Sequence, residues 1–234
     1  MSNHGNVIII LMIPKNFEFV LFDMIGTTIK DSNKGESLVL DCFYNSFYSN
    51  GYHINYELIN QQRGKSKKDA IRNILIDSNL KTDLIDKIYS DFIESLNTSL
   101  SYFQEVKGAH LLFSQLKQKG IKIGLGSGLP MAFIGKIIKQ LEWQTGWFDY
   151  IGSSEELGKG RPDPIMIFDS MEKLMINDKA KVLKIGDTVV DIQEGKNAGV
   201  VTASVLTGTQ KRDELEKFNP DYIFNDITEI ISII

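Results

Sequence analysis

A chain of 234 residues with 42% hydrophobic and 24% charged residues has the make-up of an ordinary globular protein, long enough for one large core or a core plus a smaller module. Its net charge of −4 gives no electrostatic drive toward nucleic acid, and the single Cys42 excludes an intramolecular disulfide. The apolar run Val7 to Ile13 is too short to span a bilayer and lacks a basic leader or a small-residue cleavage site. It reads as an extra edge strand, or as residues upstream of a true start at Met12. The expectation is a cytoplasmic protein with no membrane or nucleic-acid partner.

The first strong element is FEFVLFDMIGTT, Phe17 to Thr28. Its β-forming run stops at Asp23, and Gly26-Thr27-Thr28 turns the chain away, so a buried strand delivers one carboxylate to its C-terminal end. From Glu36 to about Phe103 the periodicity is helical only. Val39, Cys42, Phe43 and Phe47 recur at steps of three and four, as do Ala70, Ile71, Ile74 and Leu75, then Leu84, Ile85, Ile88, Phe92 and Leu96. Cys42 on such a stripe reads as a small core residue rather than a catalytic thiol.

From Gly108 onward strands and helices alternate. Strands are expected at Ile121 to Leu125, near Tyr150, at Val182 to Ile185, Val200 to Leu206 and Tyr222 to Phe224. Helices are expected at His110 to Lys119, Pro130 to Leu141, Pro164 to Met175, Val189 to Ala198, Lys211 to Lys217 and at the C-terminus. Alternation of this kind implies a parallel sheet covered on both faces. The expected architecture is α/β: a Rossmann-like three-layer core (residues 1–32 and 106–234) with an inserted all-helical cap (33–105). Hinges fall near Gly35 and Gly108.

Three later stretches sit at sheet edges like the first. Gly126-Ser127-Gly128 puts a hydroxyl and small residues before a helix start, which suits an anion but also a plain turn. GKGRPDP places Arg161 in a stretch held extended by Pro162, with Asp163 as N-cap and Pro164 as first helical residue. A solvated surface arginine is the bland alternative. GDTVVD sets Asp187 at a strand end and Asp191 one helical turn later, and either can be an ordinary cap.

Together, in the order carboxylate, hydroxyl, cation, paired carboxylates, these stretches resemble the four motifs of the haloacid dehalogenase superfamily of hydrolases. The resemblance covers nearly the whole chain from Phe17. DMIGTT, GRPDP and GDTVVDIQEGKNAG look most like its phosphonatase branch. The resemblance implies Asp23 as nucleophile toward a phosphoryl group and Mg²⁺ held by Asp23, the Ile25 carbonyl, Asp187 and Asp191. It also implies a phosphate cradle of Met24, Ile25, Gly26, Thr27, Ser127, Gly128 and Arg161, and a cap able to support a homodimer. The substrate class is a small phosphorylated or phosphonate compound.

Most phosphatases of this superfamily carry a second Asp two residues after the nucleophile. Ile25 stands there and cannot move a proton. The cap offers another route in QQRGKSKKDAIRNIL: Ser66 and Asp69 have capping-box spacing, which starts a helix at Lys67 and points it along the apolar stripe. A lysine placed so is desolvated, at the positive end of a helix and beside Lys65 and Lys68, all of which favour the neutral amine. Phosphonatases use a cap lysine as an imine former, and the Gly64 to Lys67 spacing resembles their motif. That motif has Met where this chain has Arg63 and His where it has Ala70. Three functions follow: cleavage of a carbonyl phosphonate through a Lys67 imine, hydrolysis of a phosphate monoester, or non-catalytic binding of a phosphometabolite.

Overall fold

The structure is a computed structural model that describes residues 16–30, 32–33, 36–62 and 65–234. Val7 to Ile13, Gly35, Arg63 and Gly64 lie outside the described residues. Its central sheet contains β1 (Phe19–Asp23), β6 (Lys122–Ser127), β7 (Tyr150–Ser153), β8 (Val182–Gly186), β9 (Val201–Val205) and β10 (Tyr222–Phe224). The order is β10-β9-β8-β1-β6-β7, and every pairing is parallel. Beside these run two short antiparallel ribbons, β2 (Ile29–Lys30) with β5 (Gln104–Glu105), and β3 (Ser32–Asn33) with β4 (Glu36–Ser37).

Both faces of β1 are buried, and its side chains alternate between two layers. Phe19 and Leu21 pack with Met166, Ile167 and Met171 of α7 (Ile165–Lys173) and Ala198 of α8 (Val189–Ala198). Val20 and Phe22 face α5 (Ala109–Gln118), α6 (Met131–Gln140) and the 3₁₀ segment Ile227–Ile233. The expected C-terminal helix is present and is of 3₁₀ type, with Ile227, Ile230 and Ile233 buried at the three-residue step of that geometry. A short α9 (Arg212–Glu216) lies between β9 and β10. No described helix is long and apolar enough to cross a membrane.

The helical insertion comprises α1 (Leu38–Tyr48), α2 (Tyr56–Asn60), α3 (Lys67–Asp77) and α4 (Ile85–Thr98). Ser66 caps α3 as its spacing predicts: its hydroxyl accepts from the Asp69 amide at 3.3 Å and donates to the Asp69 carboxylate at 2.9 Å. Phe43 meets Phe92 edge-on, centroids 5.0 Å apart, at the heart of this group. Cys42 is buried beside Ser99, as expected of a core residue. Two details differ from the sequence-based expectation. Glu36 and Ser37 form a strand before α1, and α2 was not foreseen because five residues with one buried apolar side chain, Ile59, carry no readable period. The β2–β5 ribbon joins the segment leaving the core to the segment returning, which holds the helices over the C-terminal edge of the sheet.

Candidate active site

Parallel strands end at one edge of the sheet, so side chains distant in sequence converge there. Asp23 ends β1, Ser127 ends β6, and Asp187 follows β8. Arg161 comes from the loop beyond β7 rather than from the strand end itself. Asp163 accepts from the Ile165 amide at 3.0 Å, and α7 starts one residue later than expected. Asp23, Asp187 and Asp191 are all buried and bring carboxylate oxygens within 4.8 Å of one another. The Arg161 guanidinium donates to Asp23 at 2.6 Å and also bonds Asp191, joining the two carboxylates.

The electrostatics of this cluster are uneven. Burial pushes the Asp23 carboxyl up to about 6, against the pull of Arg161. Asp191 is equally buried, yet Arg161, Lys184 and the Thr188 hydroxyl hold it down at about 2. Asp191 binds Arg161, Lys184 and Thr188 while keeping a carboxylate oxygen within the cluster with Asp23 and Asp187. Asp187 is held instead by the Thr27 hydroxyl at 3.3 Å and the Thr209 amide at 3.1 Å. Space around Asp187 is tight enough to require glycine: a Cβ on Gly26, whose φ is +89°, would sit 2.5 Å from its Oδ2, and one on Gly208 only 1.9 Å away.

The nucleophile loop is a tight turn in which two backbone amides already have partners. The Gly26 amide donates to the Ile29 carbonyl at 2.8 Å, and the Thr27 amide to the Met24 carbonyl at 3.3 Å. Both N–H groups are thus engaged inside the turn. The Met24 amide bonds the Asp23 carboxylate. Ile25, Ser127, Gly128 and Arg161 remain on the wall of a cavity of about 60 Å³, together with Asp23 and Asp187. The facing wall comes from the helical insertion and includes Val39, Phe43, Ile59, Gln62, Lys67 and Ala70. Lys67, 44 residues beyond Asp23 in sequence, therefore opens onto the same space as the nucleophile candidate; its ammonium lies 6.0 Å from the centre of the Phe43 ring.

Two charged residues escaped the sequence reading. Lys184 lies inside β8, fully buried, with its ammonium 3.1 Å from Asp191 and 3.0 Å from Glu194. Burial acts to lower the Lys184 pKa, but Glu194 and Asp191 outweigh it and keep the ammonium charged. The signal was present: a lysine within the apolar strand VLKIG is seldom buried without a partner, and Asp191 and Glu194 stand three apart on α8. Lys184→Met leaves two buried carboxylates short of a cation, and is expected to destabilise the fold by about 3–5 kcal/mol in denaturant melts.

A hard divalent cation fits this donor set. Asp23, Asp187 and Asp191 converge here, with Glu194 beside Lys184 behind them, and Arg161 and Lys184 pair with part of this set. All the candidate ligands are oxygens.

Comparison with known proteins now bears on this geometry. The family model described as "Haloacid dehalogenase-like hydrolase" matches residues 20–205. The chain belongs to that family. It is therefore a hydrolase of the haloacid dehalogenase superfamily, and the inserted helices occupy the position of that superfamily's cap. A phosphonoacetaldehyde hydrolase of Bacillus mycoides (strain KBAB4) is 30% identical over 220 residues, covering 87% of this chain and 82% of the relative. Among solved structures, a phosphonoacetaldehyde hydrolase like protein from Oleispira antarctica superposes with a TM-score of 0.80 at 19% identity, covering 98% of this chain and 94% of the other. A hydrolase from Pseudomonas syringae gives 0.79 at 15% identity, covering 92% and 96%. At those identities the two structures establish the fold alone.

Proposed function

We propose that this hydrolase cleaves the carbon–phosphorus bond of a small phosphonate bearing a carbonyl group, using Mg²⁺, an imine at Lys67 and a phosphoryl transfer to Asp23. The observation that carries the reading is that Lys67 and Asp23 line one cavity, with Ile25 where a proton-transferring carboxylate would otherwise stand. The relative from Bacillus mycoides supports it. In this reading residues 33–105 act as a lid over residues 1–32 and 106–234, and the site is confined to a small-molecule substrate.

Each residue has a stated task. The neutral Lys67 amine adds to the substrate carbonyl, and loss of water leaves an iminium ion. An Asp23 carboxylate oxygen then attacks phosphorus in line. The electron pair of the breaking P–C bond passes to the α-carbon and on into the iminium, giving an enamine, so no acid is needed at a leaving oxygen. Protonation at carbon and hydrolysis of the imine release the aldehyde and restore Lys67. Water splits the aspartyl phosphate. Arg161 and Ser127 hold the phosphoryl oxygens, and the Arg161 Nε, buried with no partner among the described residues, is a donor available for one of them. Asp23, the Ile25 carbonyl, Asp187 and Asp191 would hold Mg²⁺, which supplies neutralising charge for the bound anion.

Metal binding then follows the Asp23 proton. Because the folded protein keeps that proton up to about pH 6, Mg²⁺ affinity should rise with pH to a plateau near neutrality and fall below pH 6. Calorimetry in buffers of different ionisation heat should show about half a proton released per metal near pH 6, approaching one at lower pH and none near pH 8. Asp191, ionised from about pH 2 upward, contributes no step in that window.

One observation favours a second reading, hydrolysis of a small phosphate monoester. Ala70, which lines the cavity one turn beyond Lys67, offers no group to shuttle protons during imine formation. A panel of carbonyl phosphonates and phosphate esters, assayed with and without Mg²⁺, decides between the two. Metal-dependent release of phosphate from phosphonoacetaldehyde supports the first, and release from esters alone replaces it with the second.

A further inference from the structure

The cap wall of the cavity is mostly apolar, with Val39, Phe43, Ile59 and Ala70. Gln62 interrupts it. This side chain is 6% exposed and belongs to the same wall. Its amide is oriented by two donors that reach the same atom: the Lys65 ammonium at 2.9 Å and the Asn73 amide nitrogen at 3.4 Å, both on Gln62 Oε1. Since the Lys65 ammonium can only donate, it assigns the oxygen end of the amide, and Nε2 is the remaining end. Nε2 has no partner among the described residues. An amide nitrogen held in one orientation on a cavity wall, with no protein acceptor, is hydrated until an acceptor on a ligand takes the place of water, so it can discriminate between ligands.

We infer that Gln62 is a specificity-determining residue whose Nε2–H₂ donates to a carbonyl-type oxygen on the non-phosphoryl part of the substrate. The inference deepens the proposed function and rests on it. It assigns the two halves of the substrate to opposite walls. The anion faces Arg161 and Ser127. A short apolar body lies against Val39, Phe43 and Ile59, and one acceptor meets Gln62. It also gives the carbonyl oxygen a donor beside Lys67, in a place where Ala70 supplies none. Substrates lacking an acceptor leave the amide unpaired, and sites of this kind reject such analogues more strongly than apolar pockets reject an extra methyl group.

The test uses two stable ligands that neither form imines nor turn over. Phosphonoacetamide carries the carbonyl, and 2-methylpropylphosphonate replaces it with methyl groups of similar shape. Titration calorimetry of the whole protein with Mg²⁺ should give phosphonoacetamide an affinity about tenfold higher, the ratio expected for one hydrogen bond to an oriented donor. Gln62→Glu keeps an acceptor for Lys65 and Asn73 but abolishes donation, and is expected to erase the preference. Gln62→Leu should do the same while binding 2-methylpropylphosphonate as well as the parent or better. Equal affinities in the parent protein, or a preference that survives in Gln62→Glu, overturn the inference. If neither phosphonate nor inorganic phosphate binds, the phosphoryl site itself is wrong and both readings fall. A normal anion response without discrimination removes Gln62 alone.

Discussion

Asp23→Asn should lower turnover by about 10⁴-fold or more while leaving binding of a phosphonate ligand within about tenfold of the parent protein. Asparagine keeps the shape of the side chain but has no anionic oxygen to form a bond to phosphorus, so the loss falls on the chemical step. The fold should survive the change. Arg161, freed of one partner, still bonds Asp191, and a carboxylate whose burial pushes its pKa to about 6 is one the folded protein bears at some cost. Removing it should leave thermal stability equal or slightly raised near neutral pH, where the parent pays that desolvation. Rapid-quench experiments with a labelled phosphoryl group check the assignment: a transient acid-stable adduct in the parent protein and none in the variant. A variant that retains a tenth of the activity would exclude Asp23 as nucleophile.

Lys67→Met should reduce cleavage of phosphonoacetaldehyde by about 10³-fold or more, because without an iminium the breaking P–C bond would have to expel an unstabilised carbanion. Lys67→Arg separates chemistry from charge. A guanidinium keeps the positive field over the cavity but stays protonated and forms no imine, so the arginine variant should be as inactive as the methionine one. If Lys67 merely attracts the phosphoryl group, the arginine variant recovers most of the activity and only KM changes in the methionine variant. Hydrolysis of phosphate esters, should any occur, is expected to be little affected by either substitution.

The arrangement of the core could be read because periodicity changes where the fold changes. Helical spacing through Val39, Phe43, Ile71, Ile74, Ile88 and Phe92 marked the insertion, and the alternation after Gly108 marked the parallel sheet. The convergence of Asp23, Ser127 and Asp187 followed from topology, since strand ends in one parallel sheet share an edge, whereas Arg161 reaches that edge from the loop beyond β7. What stayed hidden depends on contacts between residues far apart. Lys184 and Glu194 announce an ion pair only when β8 lies under α8, with Gly195 allowing the close approach. The occupied amides of Gly26 and Thr27 reflect hydrogen bonds inside one turn, which the motif letters do not encode. Gln62 reads as an ordinary polar residue until Lys65 and Asn73 are seen to fix its orientation. The α2 helix and the β2–β5 ribbon are too short to leave a periodic trace.

The most direct test of the account is reductive trapping. Protein incubated with phosphonoacetaldehyde and Mg²⁺ is treated with borohydride, digested and mapped by mass spectrometry. The account predicts a single reduced adduct on Lys67, an ethyl group in the parent protein and a phosphonoethyl group in Asp23→Asn, where P–C cleavage is blocked. Sustained turnover of phosphonoacetaldehyde with Lys67 unmodified would contradict it.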